Sequence, residues 1–231
     1  MKSLYLLVDL GAMLVPFLFS FHPRLKFYVR FRAAFLAIFC VGIPFVVWDV
    51  VFTEAGVWGF NERYLLGVNV FGLPLEEVLF FVCIPFSCLF TFHCLNVLKF
   101  PRPTPEKAGR MILFAGVLFI LIGVFSATKL YTFWTLTVSG LIMAYVGFRK
   151  RPYLALFLVS YLLLLIPFFV VNGILTGTGP DEAIVWYNNE ENSGIRVLTI
   201  PVEDFVYGLL LILLNVALFE FFKGRERSEI T

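Results

Sequence analysis

Charge is scarce in this chain of 231 residues: Asp, Glu, Lys and Arg make up 15%, against 60% hydrophobic residues and a mean hydropathy of +0.91. The apolar residues lie in long blocks instead of alternating with polar ones, which excludes an ordinary soluble core. Cysteine is sparse too. Cys40, Cys83, Cys88 and Cys94 all fall inside apolar blocks, with no metal-ligand spacing and no small secreted domain to staple, so they read as buried thiols. A Gly-rich dinucleotide fingerprint is missing, because Gly177-Thr178-Gly179 runs straight into Pro180-Asp181-Glu182. No flavin, nicotinamide or other cofactor is expected, and without an aspartate-rich diphosphate motif neither is a metal-dependent prenyl transfer. The last apolar block carries no interior lysine, only Lys223 at its end, which argues against a Schiff-base chromophore. The first block lacks a small-x-small cleavage site and meets the basic stretch His22-Pro23-Arg24-Leu25-Lys26 at once, so it reads as a retained helix and not a signal peptide.

A helix needs roughly 20 apolar residues to cross the hydrocarbon of a bilayer. Seven blocks qualify, at about residues 3–21, 31–53, 74–97, 110–127, 130–147, 153–175 and 201–222. They predict an all-α integral membrane protein of seven transmembrane helices forming one domain. The fourth block has no ionisable group through its span and reads as scaffold. Threading the chain through seven spans puts fourteen of the 18 Lys and Arg residues on one side, leaving Lys2, Arg63, Lys129 and Arg196 on the other. The positive-inside rule then predicts an outer N-terminus and a cytoplasmic C-terminus. Among the acids only Glu106, Glu220, Glu226 and Glu229 fall inside, which directs attention to the outer face.

Two stretches repeat. Ile43-Pro-Phe-Val-Val-Trp-Asp49 matches Ile166-Pro-Phe-Phe-Val-Val-Asn172, and after a loop four residues longer the match resumes. Asn61 then faces Asn188, Gly67 faces Gly194, and Pro74-Leu75-Glu76-Glu77 faces Pro201-Val202-Glu203-Asp204. The pattern predicts two parallel three-helix repeats, residues 1–98 and 129–231, joined by a linking helix within 99–128, with a cleft shared between the repeats.

Ionisable groups inside a bilayer cost on the order of 3 kcal/mol at mid-helix, so each one in a span is a functional candidate. Asp9, Asp49, Glu76, Glu77, Glu203 and Asp204 lie in or beside the outer halves of the blocks. Helix capping is the simpler reading, since acids in a first turn complement the helix dipole and its orphan N–H groups. It accounts less well for two helices opening with the same Pro-x-acid-acid after the same Asn and Gly. Function is therefore the leading reading for Glu76 and Glu203, while function and capping both stand for Glu77 and Asp204. Asp49 pairs in the repeat with Asn172, an amide that cannot carry charge, so the two halves are not chemically equal. Asn61 and Asn188 are placed to orient the acids, or to make loop turns. Asp9 has no acidic counterpart, and a structural hydrogen bond stands beside a functional role as its reading.

With these motifs the chain resembles the small membrane lycopene cyclase family, whose members occur as two short subunits or as one fused chain. The resemblance covers almost the whole sequence in the fused arrangement. It rests on Pro74-Leu75-Glu76-Glu77, Pro201-Val202-Glu203-Asp204 and the paired Ile-Pro-Phe segments. It implies a multi-pass enzyme of a prokaryotic inner membrane that closes the acyclic ends of lycopene into β-ionone rings with no net redox change, giving γ-carotene, β-carotene or both. The implied partners are the carotenoid, membrane lipid and other carotenoid-making enzymes, and not nucleic acid. The resemblance carries the catalytic expectation onto Glu76 and Glu203, with Glu77 and Asp204 as partners, and Asp204, the shorter acid, stands in the second motif where the first has Glu77.

The chemistry suits the residues. An acid protonates the terminal alkene, the neighbouring alkene attacks the tertiary cation, and a base removes a ring proton, all within the reach of one carboxylic acid and one carboxylate. Desolvation keeps a proton on a buried carboxyl. Aromatic faces stabilise a cation by roughly 0.5 to 2 kcal/mol each, and Trp48, Trp58, Phe80, Trp186 and Tyr207 lie near the acids in sequence. Interfacial anchoring is the competing role for such rings. A proton-coupled transporter of small solutes is the alternative, since parallel repeats with acids near a cleft would serve it, but the midplane is Phe, Leu, Ile and Val where a solute path would be polar. A purely structural membrane subunit is the remaining reading, should both acid motifs prove to be caps.

Overall fold

Seven α-helices follow the seven apolar blocks in a computed structural model that describes residues 2–228, with side chains as far as Arg225. Glu226, Arg227 and Glu229, part of the charge partition, lie outside what it describes in side-chain detail. The helices are α1 (Leu4–Phe19), α2 (Phe31–Glu54), α3 (Leu75–Val97), α4 (Pro105–Phe125), α5 (Leu130–Phe148), α6 (Tyr153–Leu175) and α7 (Val202–Ser228). The last six are long and apolar enough to cross a membrane. The first is apolar but has only 16 residues, roughly 24 Å of helix at 1.5 Å per residue, short of a hydrocarbon core about 30 Å thick. Ser20 closes its last turn, with Oγ and N both donating to Pro16 O at 2.7 and 3.0 Å. At the other extreme α4 starts well before the apolar block, since the Thr104 hydroxyl accepts from Lys107 N and Pro105 takes the first helical position. Pro44 and Pro167, the repeated prolines, lie within α2 and α6 without ending them.

The chain forms two compact units. The first holds α1, α2, α3 and the part of α7 from Leu211 onward. Its interior is aromatic: Phe27, on the 3-10 turn Phe27–Arg30 ahead of α2, meets Phe86 of α3 edge-on at 5.6 Å between centroids and Phe219 of α7 at 6.1 Å. The second unit is built from Gly56–Gly59 and Pro101–Leu210. Here α4 and α5 touch backbone to backbone along glycines. A Cβ on Gly116 would stand 2.8 Å from Gly140 O, and one on Gly147 2.6 Å from Leu113 N. Gly109, Gly116 and Gly123 recur every seventh residue, the spacing of one helix face, so the close approach runs the length of α4.

Short strands, unforeseen from the sequence, shape the loops: β1 (Trp58–Phe60), β2 (Asn69–Val70), β3 (Leu73–Pro74), β4 (Val185–Tyr187), β5 (Arg196–Val197) and β6 (Ile200–Pro201). β2 and β3 form a hairpin that delivers the chain to α3, and β5 and β6 form one that delivers it to α7. Their registers match, Asn69 opposite Pro74 and Arg196 opposite Pro201. The first hairpin turns at Phe71-Gly72, both at positive φ, the backbone that tight two-residue loops demand. β1 pairs with β4, and Gly59 lies so close to the Trp186 ring that an added Cβ would fall 2.3 Å from it.

Candidate active site: two buried carboxylate clusters

In the first unit, the β2–β3 hairpin sets Glu76 and Glu77 in the opening turn of α3. Glu76 is fully buried. Its Oε1 accepts from Leu66 N at 2.7 Å, while Oε2 is buried with no hydrogen-bond partner among the described residues. Glu77 Oε2 accepts from the Tyr5 hydroxyl of α1 at 2.5 Å, and Asp49 of α2 lies in hydrogen-bonding contact with Glu77. A bond between two carboxyls exists only with a proton held between them. Thr53, one turn along α2, donates to Asp49 Oδ1 at 3.4 Å. Asp9, one turn along α1 from Tyr5, is fully buried too, and neither of its oxygens has a partner among the described residues. The structural hydrogen bond considered for Asp9 is thus not found among the described residues.

The second unit builds a cluster on the same plan. Glu203 and Asp204 occupy the first turn of α7 behind the β5–β6 hairpin. Glu203 Oε1 accepts from Ser193 N at 2.7 Å and from the Thr132 hydroxyl of α5 at 2.6 Å, and Oε2 is buried without a partner among the described residues. Asp204 Oδ1 accepts from the Tyr131 hydroxyl at 2.5 Å. Its Oδ2 accepts from Asn172 Nδ2 at 2.7 Å and from the Tyr187 hydroxyl at 2.9 Å. The two tyrosines that bind this carboxylate belong to a group of four rings: Trp58 lies 5.0 Å from Tyr131, 6.2 Å from Tyr187 and 6.3 Å from Tyr207, and Tyr131 and Tyr187 stack at 5.8 Å. Trp58 comes from far upstream, in the Gly56–Gly59 segment, which is tied in where Asn188 N donates to Val57 O at 2.9 Å.

The upstream glycine of the motif now has a physical reason. Gly67 and Gly194 both sit at positive φ, 83° and 75°, and the residue before each sends its N–H to the key glutamate. Leu75 N then bonds Val68 O, as Val202 N bonds Ile195 O. Both glutamates stand in a first helical turn, yet the groups that bond their Oε1 atoms, Leu66 N, Ser193 N and the Thr132 hydroxyl, belong to loops and to α5, not to the helices they open.

The remaining sequence candidates fall unevenly. Asp49, Asn172 and Tyr207 stand with the acids. Trp48 follows Asp49's helix, its ring at 6.0 Å from Phe45 and 5.7 Å from Phe52, and Phe80 packs edge-on against Phe81 at 5.7 Å. Asn61 and Asn188 hold turns within their loops, accepting from Arg63 N and Glu190 N. Trp186 is half exposed against Gly59, and Cys40 is exposed where a buried thiol was expected. Sequence reasoning missed Tyr5, Tyr131, Thr132 and Tyr187. A signal for two of them existed: Leu4-Tyr5 and Leu130-Tyr131 each open a helix, but the sequence match was traced only from Ile43.

Helices of this length and apolarity, with carboxyls buried behind loop hairpins, define a polytopic membrane protein with a buried carboxylate cluster in each compact unit. The lycopene cyclase family model matches residues 2–95 and again 128–222, and the chain belongs to the lycopene cyclase family. It is accordingly a membrane-embedded enzyme of carotenoid biosynthesis, with a carotenoid as its substrate. No curated protein and no solved structure matches the chain.

Proposed function

We propose that the enzyme is a lycopene β-cyclase that closes acyclic carotenoid ends into β-ionone rings by proton-initiated, non-redox cyclisation. The observation that carries this reading is the matched state of two glutamates. Glu76 and Glu203 each hold one oxygen on a loop N–H and keep the other buried with no partner among the described residues. An oxygen in that state costs stability unless it serves something. A buried carboxylic acid with one oxygen fixed and the other open is fitted to hand a proton to an alkene carbon. In this scheme the O–H bond of the glutamic acid breaks as a C–H bond forms, and the adjacent alkene closes the ring on the cation. A neighbouring carboxylate then takes the ring proton. Glu77 and Asp204 fill that second role. The Trp58, Tyr131, Tyr187 and Tyr207 rings around Asp204 favour cationic charge nearby.

The same hydrogen bonds in both units and the same family match in both segments support a pair of parallel repeats joined by α4. The charge bias of the loops supports an outer N-terminus and a cytoplasmic C-terminus in a prokaryotic inner membrane, with the acids toward the outer face. Expression of the chain alone in lycopene-accumulating bacteria, followed by pigment chromatography, tests the activity. Monocyclic or bicyclic product is expected, and unchanged lycopene with the protein present in the membrane contradicts the reading.

A further inference from the structure

We propose that Asp9 is a proton relay for Glu76, and that the first carboxylate cluster therefore works differently from the second. The inference rests on the cyclase reading and goes beyond it. Asp9 lies one turn from Tyr5 on α1, so both face the same way. It is fully buried with neither oxygen partnered among the described residues, and it is within electrostatic reach of Glu76. The titratable groups around it are Tyr5 on its own helix, Asp49 on α2, and Glu76, Glu77 and Cys83 on α3, which packs against α1. No basic side chain is among these neighbours. A carboxyl with no hydrogen bond and no counter-charge is a cost to folding, so a structural role does not account for it. Glu76 Oε2, also unpartnered, is the natural recipient of its proton.

The second unit has the same frame without the relay. One turn along α5 from Tyr131 stands Thr135, fully buried, a hydroxyl where Tyr5 has Asp9 after it. Asp204 is held by Asn172, a neutral amide, where Glu77 has Asp49. Four carboxyls thus gather in the first cluster and two in the second. In the relay, Glu76 gives its proton to the substrate carbon, Asp9 passes its own proton to Glu76, and the proton released on forming the ring double bond returns to the cluster. The cycle balances without oxidant or reductant. Asp9 acts through Glu76 and is a positioning residue, not a catalytic one.

The test is the initial rate of cyclisation of lycopene by membranes carrying the wild type, Asp9→Asn, Asp9→Glu or Thr135→Val, followed from about pH 5 to about pH 9. Asp9→Asn is expected to slow the reaction roughly tenfold or more and to remove one limb of the pH–rate profile. Asp9→Glu should restore most of the rate with that limb displaced, and Thr135→Val should behave as wild type. Should Asp9→Asn fail to accumulate in the membrane, the displaced limb in Asp9→Glu alone decides. A wild-type rate and profile in Asp9→Asn, or a loss in both Asp9 variants with the profile unmoved, overturns the relay and leaves the cyclase reading standing. A wild type that forms no cyclic product overturns both.

Discussion

Asp204 shows how much depends on single donors. Its Oδ1 receives the Tyr131 hydroxyl, whereas Oδ2 receives both Asn172 and Tyr187. Tyr131→Phe therefore strips an oxygen in a buried site and is expected to cost about 1–3 kcal/mol. Tyr187→Phe leaves Oδ2 bonded to Asn172, and Phe60 already stands at the matching place in the other half, so its effect should be clearly smaller. Thermal unfolding of the two variants in detergent checks the order, and equal losses would contradict it. The paired acids were legible in the sequence because charge is rare in apolar blocks and the two motifs repeat. The tyrosines that grip them were not, because aromatic residues make up 18% of the chain and an isolated Tyr carries no mark of its partner. Trp58 was noted only as a ring near acids. Its place against Tyr131 and Tyr187 depends on a tertiary insertion that no local pattern encodes.

At the scale of elements, hydropathy located all seven helices but misjudged their ends. α4 begins at Pro105 because a Thr-Pro start outweighs the charged residues Glu106, Lys107 and Arg110 that hydropathy counts against a span. The loop hairpins escaped because strands of two residues have no periodicity to detect. The α4–α5 contact escaped for another reason: its glycines look innocuous until two backbones are seen to meet on them. Gly116→Leu forces a side chain into a space bounded by Ala144 N and Gly140 O at 2.7 and 2.8 Å from the first added carbon. Overpacking of this kind costs roughly 1–3 kcal/mol or more. The variant should melt at lower temperature in detergent than Gly11→Leu, a site where nothing lies within 4 Å of an added Cβ. Equal melting would mean that the glycine contact is not limiting.

For the whole molecule, the bias of Lys and Arg toward one set of loops predicts that a fluorescent protein fused to the C-terminus is bright in the cytoplasm and that alkaline phosphatase fused there is inactive. The opposite pattern would invert the orientation and place the acid clusters toward the cytoplasmic face. The class of fold was readable because a chain this apolar has few ways to satisfy its backbone in lipid. The difference between the two carboxylate clusters was only partly readable. Asp49 against Asn172 stood out in aligned segments, but the four-carboxyl character of the first cluster required α1 to be seen against α3. The central claim is that Glu76 and Glu203 deliver the protons that start ring closure. It is tested most directly by pigment chromatography of lycopene-accumulating cells expressing the wild type, Glu76→Gln or Glu203→Gln at matched membrane levels. The account predicts cyclic carotenoid from the wild type and loss of ring closure in both amide variants. Full activity in both would contradict it.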